Sequence, residues 1–455
     1  MTIRTNKWTW SVAAAVIALT SVRAARAQTP AGAGDVRLTL EEATQRAVDR
    51  APRLAEARAR EAAARSTYDS RKAIALPSGT VSSSISRNNH VDEVLIPMAT
   101  GGSRVLYPDI PANYRVRGEA LFPVYAFGRV SATLDAARSD IDAASADIRT
   151  SDADVRLETS RVYWLLVTTG ETVRVLEQSL ARADAYVEEV KARVDAGVLP
   201  PNDLLSSQAQ RAREYVRLVQ ARNDRAVVEL ELGRLVGEPA GVHLVATSPV
   251  DQVTSSAAAI MSESPASLIA KALAGRSENA ALLARSSSLR SSADAARANI
   301  KPYITGVAAV EPARPNLRFV PPTDSWKTAW TTGFNLTWPL FDSGKSRAEG
   351  AALAAQADAV DARRRDFEEN VTVEIRQRLL DLESGRVALD ASSEGVAAAT
   401  EARRVVDERF RAGVATNTEV LDAQLALLEA LMEQNRLQAA LRLYEARLVR
   451  TVGNK

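Results

Sequence analysis

The stretch Arg409-Phe410-Arg411-Ala412-Gly413-Val414-Ala415-Thr416-Asn417-Thr418-Glu419-Val420-Leu421-Asp422-Ala423-Gln424 ends one long helical pattern, turns on a glycine and starts another. A near copy lies upstream as Arg193-Val194-Asp195-Ala196-Gly197-Val198-Leu199-Pro200-Pro201-Asn202-Asp203-Leu204-Leu205-Ser206-Ser207-Gln208. The two glycines, Gly197 and Gly413, stand 216 residues apart. The same spacing relates Phe122-Pro123-Val124-Tyr125-Ala126-Phe127-Gly128-Arg129 to Trp338-Pro339-Leu340-Phe341-Asp342-Ser343-Gly344-Lys345, and Leu235-Val236-Gly237 to Thr451-Val452-Gly453. One spacing held at three landmarks marks an internal duplication. Upstream it widens to 225, between Pro77 and Pro302, so the first half carries nine extra residues, most simply within 89–113. An insertion of that kind marks a surface loop.

Between the landmarks the pattern is helical and long. Residues 126–195 contain no proline, and Gly170 is the one strong helix breaker between Gly128 and the turn. At about 1.5 Å per residue such a helix is roughly 100 Å long, too long for a globular domain. Pro200-Pro201 open a further helix to about Leu235, where Gly237-Glu238-Pro239 stops it. The second half repeats the programme with 346–411 and 416–452. Leu38–Leu76 and Pro265–Ile300 also read as helical, with Pro52 either in a first turn or at a break. Residues 240–264 are a connector with little periodicity.

The strand regions alternate instead. Tyr114, Val116, Gly118, Ala120 and Phe122 share one parity, with Arg115, Arg117 and Glu119 on the other, and Thr80–Asn88 alternates more weakly. In the second half Trp326, Trp330, Phe334, Leu336 and Trp338 share a parity against Lys327, Thr331, Asn335 and Thr337. An aromatic face needs a cover, and about four strands are too few to stand alone. Either a second sheet covers the face in a soluble protein, or lipid covers it on a transmembrane barrel. Four strands cannot close a barrel, but three copies supply twelve and leave no edge.

Arg4 and Lys7 precede an apolar run from Trp8 to Leu19, and Ala25-Arg26-Ala27 has the form of a cleavage site, so residues 1–27 read as a secretory signal peptide. Without them 54 basic residues stand against 56 acidic ones, and no surplus of positive charge points to nucleic acid. Cysteine is absent and histidine is limited to His90 and His243, which excludes disulfides, thiolate sites and His-rich metal sites.

Duplicated halves, a strand hairpin in each, the aromatic-Pro…Gly-Arg/Lys run after each hairpin and the Ala-Gly-Val tips together resemble the TolC-like outer-membrane efflux proteins. The resemblance covers essentially the whole chain after residue 27. It implies an α+β membrane protein: a long α-helical periplasmic barrel continuous with a trimeric 12-stranded transmembrane β-barrel, four strands per chain, in the outer membrane of a Gram-negative bacterium. It further implies an exit duct of a tripartite efflux or export system, a homotrimer working with a periplasmic adaptor protein and an inner-membrane transporter of RND, ABC or MFS type. The chain then divides into the signal peptide 1–27, a first repeat 28–264 and a second repeat 265–455. In the first, a β-hairpin 77–125 precedes a helix pair 126–237 and the connector 238–264. In the second, a β-hairpin 302–341 precedes a helix pair 343–452. The competing reading is a soluble periplasmic coiled-coil adaptor or scaffold.

Thr416 with Glu419 three residues on is a capping box, and Glu419 and Asp422 share a helix face. By the resemblance the same pair matches acidic positions of a pore constriction, where three copies would make a ring of six carboxylates. In the first tip Asp203 stands for Glu419, but Ser206 replaces Asp422, so Asp203 is the weaker member. The resemblance makes Ala196, Gly197, Val198, Ala412, Gly413 and Val414 adaptor-docking tips; a plain helix-to-helix turn also accounts for them. The sequence departs from the family at Phe410, which lacks a hydroxyl, and at Ala415, which lacks a charge. Closure is therefore expected to use other contacts, with Arg409 or Arg411 the candidates. Gly344-Lys345-Ser346 imitates the end of a phosphate loop, but Pro339 stands where the earlier glycine is required. No catalytic or cofactor-binding pattern is present, so no enzyme is expected.

Overall fold

The computed structural model describes residues 35–99, 101–248, 260 and 262–453; the signal segment 1–27 lies outside them. Strand β1 (Val36–Leu38) leads into helix α1 (Leu40–Arg50) and helix α2 (Pro52–Ala73). Thr39 caps α1: its hydroxyl accepts the Glu42 N–H while the Glu42 carboxylate accepts the Thr39 N–H. Pro52 starts α2 and holds Ala51 extended, so it is both a first-turn residue and a break.

The strand region holds β2 (Ser78–Arg87), β3 (Val94–Pro97), β4 (Ser103–Tyr107) and β5 (Ala112–Tyr125). The stretch read as a loop, 89–113, thus carries a small hairpin. Two long helices follow, α3 (Arg129–Asp195) and α4 (Pro201–Val236), then β6 (Leu244–Ala246) in the connector, paired in parallel with β1. In the second half, helix α5 (Pro265–Gly275) and helix α6 (Ser277–Arg297) replace the single helix expected over Pro265–Ile300. The cause is Gly275, a poor helix former, followed by Arg276, held extended with its guanidinium paired to Glu278 and Glu374. Strands β7 (Tyr303–Arg314) and β8 (Lys327–Thr337) and helices α7 (Lys345–Arg411) and α8 (Asn417–Val452) complete the chain.

The duplication holds to the residue in the long helices. Helices α3 and α7 each span 67 residues, and α4 and α8 each span 36. At about 1.5 Å per residue, α3 and α7 are each about 100 Å long. Towards the turns α4 packs on α3, α3 on α8 and α8 on α7; towards the strands α2 packs on α3, α3 on α6 and α6 on α7. The helices therefore form one layer, a wall with α2 and α4 along one margin and α7 along the other.

The strands continue this wall as an antiparallel sheet in the order β2-β5-β7-β8. Register carries one apolar face across it: Val81 stands opposite Gly118, Gly118 opposite Val310, and Val310 opposite Trp330. On the other face Arg117 donates to Glu119 at 2.9 Å and to Glu311 at 3.3 Å. Within the first half, the fully buried Tyr163 hydroxyl donates to the Leu38 carbonyl and accepts the N–H groups of Thr247 and Ser248. That staples β1 and the connector onto α3.

Candidate functional site

Both long helix pairs turn in the same way. At the first tip the Val198 N–H donates to Arg193 O at 2.8 Å and the Gly197 N–H to Val194 O at 2.9 Å. At the second the Val414 N–H donates to Arg409 O at 2.9 Å and the Gly413 N–H to Phe410 O at 3.0 Å. These are paired Schellman closures, and they need a left-handed residue. Gly197 and Gly413 supply it with φ of 72° and 75°. Ala196, Gly197, Val198, Ala412, Gly413 and Val414 are all exposed, with Val198 at 68 % and Val414 at 65 %.

The restarts differ. Helix α4 begins on Pro200 and Pro201 with no side-chain cap, whereas α8 begins on Thr416 in a reciprocal capping box. Glu419 Oε1 accepts the Thr416 N–H at 3.2 Å and the Thr416 hydroxyl at 3.1 Å, and Arg409 lies 3.6 Å from its other oxygen. The Thr416 backbone bond, then its hydroxyl, holds the Glu419 carboxyl below its ordinary range. Asp422 lies one turn further along α8, exposed. Asp203 sits half-buried in the first turn of α4, and its carbonyl accepts from Asn417 Nδ2 at 3.2 Å.

A buried clasp joins the two tips. Phe410 is 3 % exposed and packs with Tyr186, Val190 and Val420; its ring centroid lies 5.6 Å from that of Tyr186. The Arg193 guanidinium stands 4.6 Å over the Phe410 ring and donates to the Phe410 carbonyl at 3.0 Å. The Tyr186 hydroxyl donates to Asn417 Oδ1 at 2.7 Å, and the Ser207 hydroxyl reaches the same oxygen at 3.2 Å. Burial raises the Tyr186 phenol above its ordinary value and keeps it a donor. A hydroxyl and a positive charge do stand at the second tip, but they belong to Tyr186 and Arg193 of the first half. Arg409, expected with Arg411 as a candidate for closure, stays local, reaching Val414 O at 3.4 Å and Glu419. Tyr186, Arg193, Ser207 and Asn417 were not singled out by the sequence reading. A signal existed, since Tyr186 and Asn417 stand where the other copy has Ala402 and Pro201.

At the opposite end Trp326, Trp330, Phe334 and Trp338 are exposed, between 54 % and 76 %, and Val81 and Ile85 are exposed on β2. Among the described residues no helix is long and apolar enough to cross a membrane, which says nothing of a β-barrel. Nor do the described residues group three or more metal-ligating side chains.

The family model described as outer membrane efflux protein matches residues 43–238 and 268–454. No curated relative matches the chain. Among solved structures it is similar to the outer-membrane channel OprN, at 19 % identity and a TM-score of 0.75 over 91 % of this chain and 90 % of that one. It is also similar to the outer membrane protein VceC of Vibrio cholerae, at 18 % identity and a TM-score of 0.74 over 91 % and 96 % of the two chains. For the MtrE outer membrane channel of Neisseria gonorrhoeae in its open state the identity is 20 %, with a TM-score of 0.73 over 91 % and 89 %. With the family match running through both halves of the duplicated wall, the chain belongs to the outer membrane efflux protein family.

Proposed function

We propose that three copies of this chain close into one duct, with twelve strands in the outer membrane and twelve long helices' worth of wall in the periplasm, and that the duct passively conducts substrates delivered by a pump. The observation that carries the reading is the pair of open margins. Among the described residues, strands β2 and β8 each lack a partner on one side. In the helical layer, α7 exposes Val373, Leu380 and Val387 at heptad spacing along one margin, and α4 exposes Leu205, Val216 and Val219 along the other. Unpaired sheet edges and apolar helix stripes of this kind are stable when another copy covers them. A ring of copies covers all of them at once.

In that assembly the apolar sheet face with Trp326, Trp330, Phe334 and Trp338 meets lipid, and the polar face with Arg117, Glu119 and Glu311 lines the lumen. The tips form the periplasmic entrance. Glu419 and Asp422, with Asp203 in support, make an acidic constriction that impedes anions and binds cations. The exposed Ala196–Val198 and Ala412–Val414 turns dock a periplasmic adaptor, which couples the duct to an inner-membrane transporter. The Tyr186–Asn417 clasp and the Arg193–Phe410 stack hold the entrance in the conformation described. A soluble scaffold is not favoured, because it leaves the aromatic face and both sheet edges in water.

In planar bilayers, Glu419→Ala with Asp422→Ala is expected to raise conductance and weaken block by multivalent cations. Unchanged conductance and block would leave Glu419 as a helix cap and Asp422 as a solvated surface residue. Release of the chain as a soluble monomer without detergent would overturn the duct itself.

A further inference from the structure

The nine-residue excess of the first half lies in the region of the β3–β4 hairpin, and the outer side of that hairpin is uncovered. Strand β3 continues from β2, the margin of the sheet, while β4 leads into β5, which is interior. Val105 and Leu106 of β4 are half-buried, but every residue of β3 is exposed, with Val94 at 49 %, Leu95 at 52 % and Ile96 at 46 %. An apolar strand edge left in this state invites pairing or burial. The hairpin is also fixed at its base. The Asp109 carboxylate lies 2.6 Å from His90 Nδ1 and accepts the Val91 N–H at 3.3 Å, tying the chain entering the hairpin to the chain leaving it.

A second exposed apolar segment lies at the same end of the sheet, with Lys327 Nζ 5.1 Å over the ring of its Phe319. Ala313 pairs with Lys327 as Arg87 pairs with Ala112, so the turn between β7 and β8 opens on the side of the hairpin. It exposes Leu317 at 64 %, Phe319 at 39 % and Val320 at 62 %. Asn316 fixes it, donating to Glu311 O at 3.1 Å and to Lys327 O at 3.0 Å. Within one chain β5 and β7 separate β2 from β8. If β2 meets β8 of the next copy, that copy's turn comes to stand beside β3. Charge agrees: exposed Asp92 and Glu93 precede β3, and exposed Arg318, with one guanidinium nitrogen donating to Trp330 O at 3.1 Å, lies in the turn.

We propose that β3 of each copy packs against the 317–320 turn of its neighbour, forming an apolar collar around the outer mouth of the duct. The collar rests on the closure through β2 and β8 proposed above. Its occupant is a second copy of this chain.

The absence of cysteine makes the test direct. Copies carrying Ile96→Cys and differently tagged copies carrying Phe319→Cys are co-expressed and treated with a short bismaleimide. Control mixtures pair Ser84→Cys on β2 in turn with Lys327→Cys, Thr331→Cys and Asn335→Cys on β8, which spans the stagger open to the closure. Linked species bearing both tags are expected from the first mixture and from at least one control. Linkage in a control alone overturns the collar while leaving the closure standing, and linkage in none overturns both. If the thiol of the Ile96→Cys copy is shielded from aqueous maleimide yet does not link to that of the Phe319→Cys copy, lipid covers β3, and the collar is again overturned. Independently, Leu95→Ser with Ile96→Ser is expected to lower the temperature at which the assembly dissociates in detergent by several degrees; an unchanged temperature overturns the apolar contact.

Discussion

At the first tip α4 restarts on Pro200 and Pro201 without a side-chain cap, whereas at the second α8 restarts on Thr416 inside a capping box. The turns themselves are alike to within about 0.1 Å in their closing hydrogen bonds. What separates the tips is the identity of a few residues around that shared turn. Phe410 occupies the place of Val194, Asn417 that of Pro201, and Tyr186 that of Ala402. Each of these three differences contributes to the clasp. Duplication therefore supplied the scaffold twice, and divergence at three positions gave the halves complementary roles: the first half donates through Tyr186 and Arg193, and the second receives at Asn417 and Phe410.

The comparison can be broken most severely at Phe410. Phe410→Ala empties a buried ring site and is expected to destabilise the second tip by about 3–5 kcal/mol, read as faster amide hydrogen exchange over 405–420. Val194→Ala, at the half-buried equivalent, is expected to cost well under half as much. Equal effects would mean that the tips are energetically alike. Asn417→Ala removes the acceptor shared by Tyr186 and Ser207 and is expected to cost about 1–3 kcal/mol, with a higher basal conductance in bilayers. Pro201→Ala should leave conductance unchanged. Thr416→Ala removes a cap that Pro200 never had, and about 1 kcal/mol of local stability is expected to go with it.

Alkali gives the smallest and most selective probe. Burial raises the Tyr186 phenol above the ordinary value of 10.0, so folding favours its protonated form. That contribution is fully present below pH 10.0 and is lost as pH rises through the raised value. Hydrogen exchange at the second tip should therefore change little up to about pH 10, after correction for the intrinsic rate, and accelerate above it. In Tyr186→Phe the additional alkaline step should vanish.

Much of this is legible in the sequence. The left-handed turns followed from Gly197 and Gly413, the helix lengths from the absence of proline, and the two-faced sheet from parity, because each depends on neighbours in sequence. The capping box was readable for the same reason. The clasp was not, since Tyr186 and Asn417 are 231 residues apart and no local rule pairs them. The β3–β4 hairpin was hidden by Pro97 and Gly101-Gly102, which read as loop although they bound a tight reversal. The break at Arg276 was missed because the first half marks the same position with Pro52 and the second does not.

The equal lengths of α3 and α7 act as a ruler with two marked ends. One residue inserted into α3 alone would advance the first tip by about 1.5 Å and rotate it by about 100°. Tyr186 would then face away from Asn417, and Arg193 would leave the Phe410 ring. Reach across the periplasm can therefore change only by matched additions to both halves, a coincidence that single insertion events rarely supply. The strand region has no such partner keeping count. The chain's nine unmatched residues stand there, beyond the ruler, where added length leaves the distance from sheet to tips untouched.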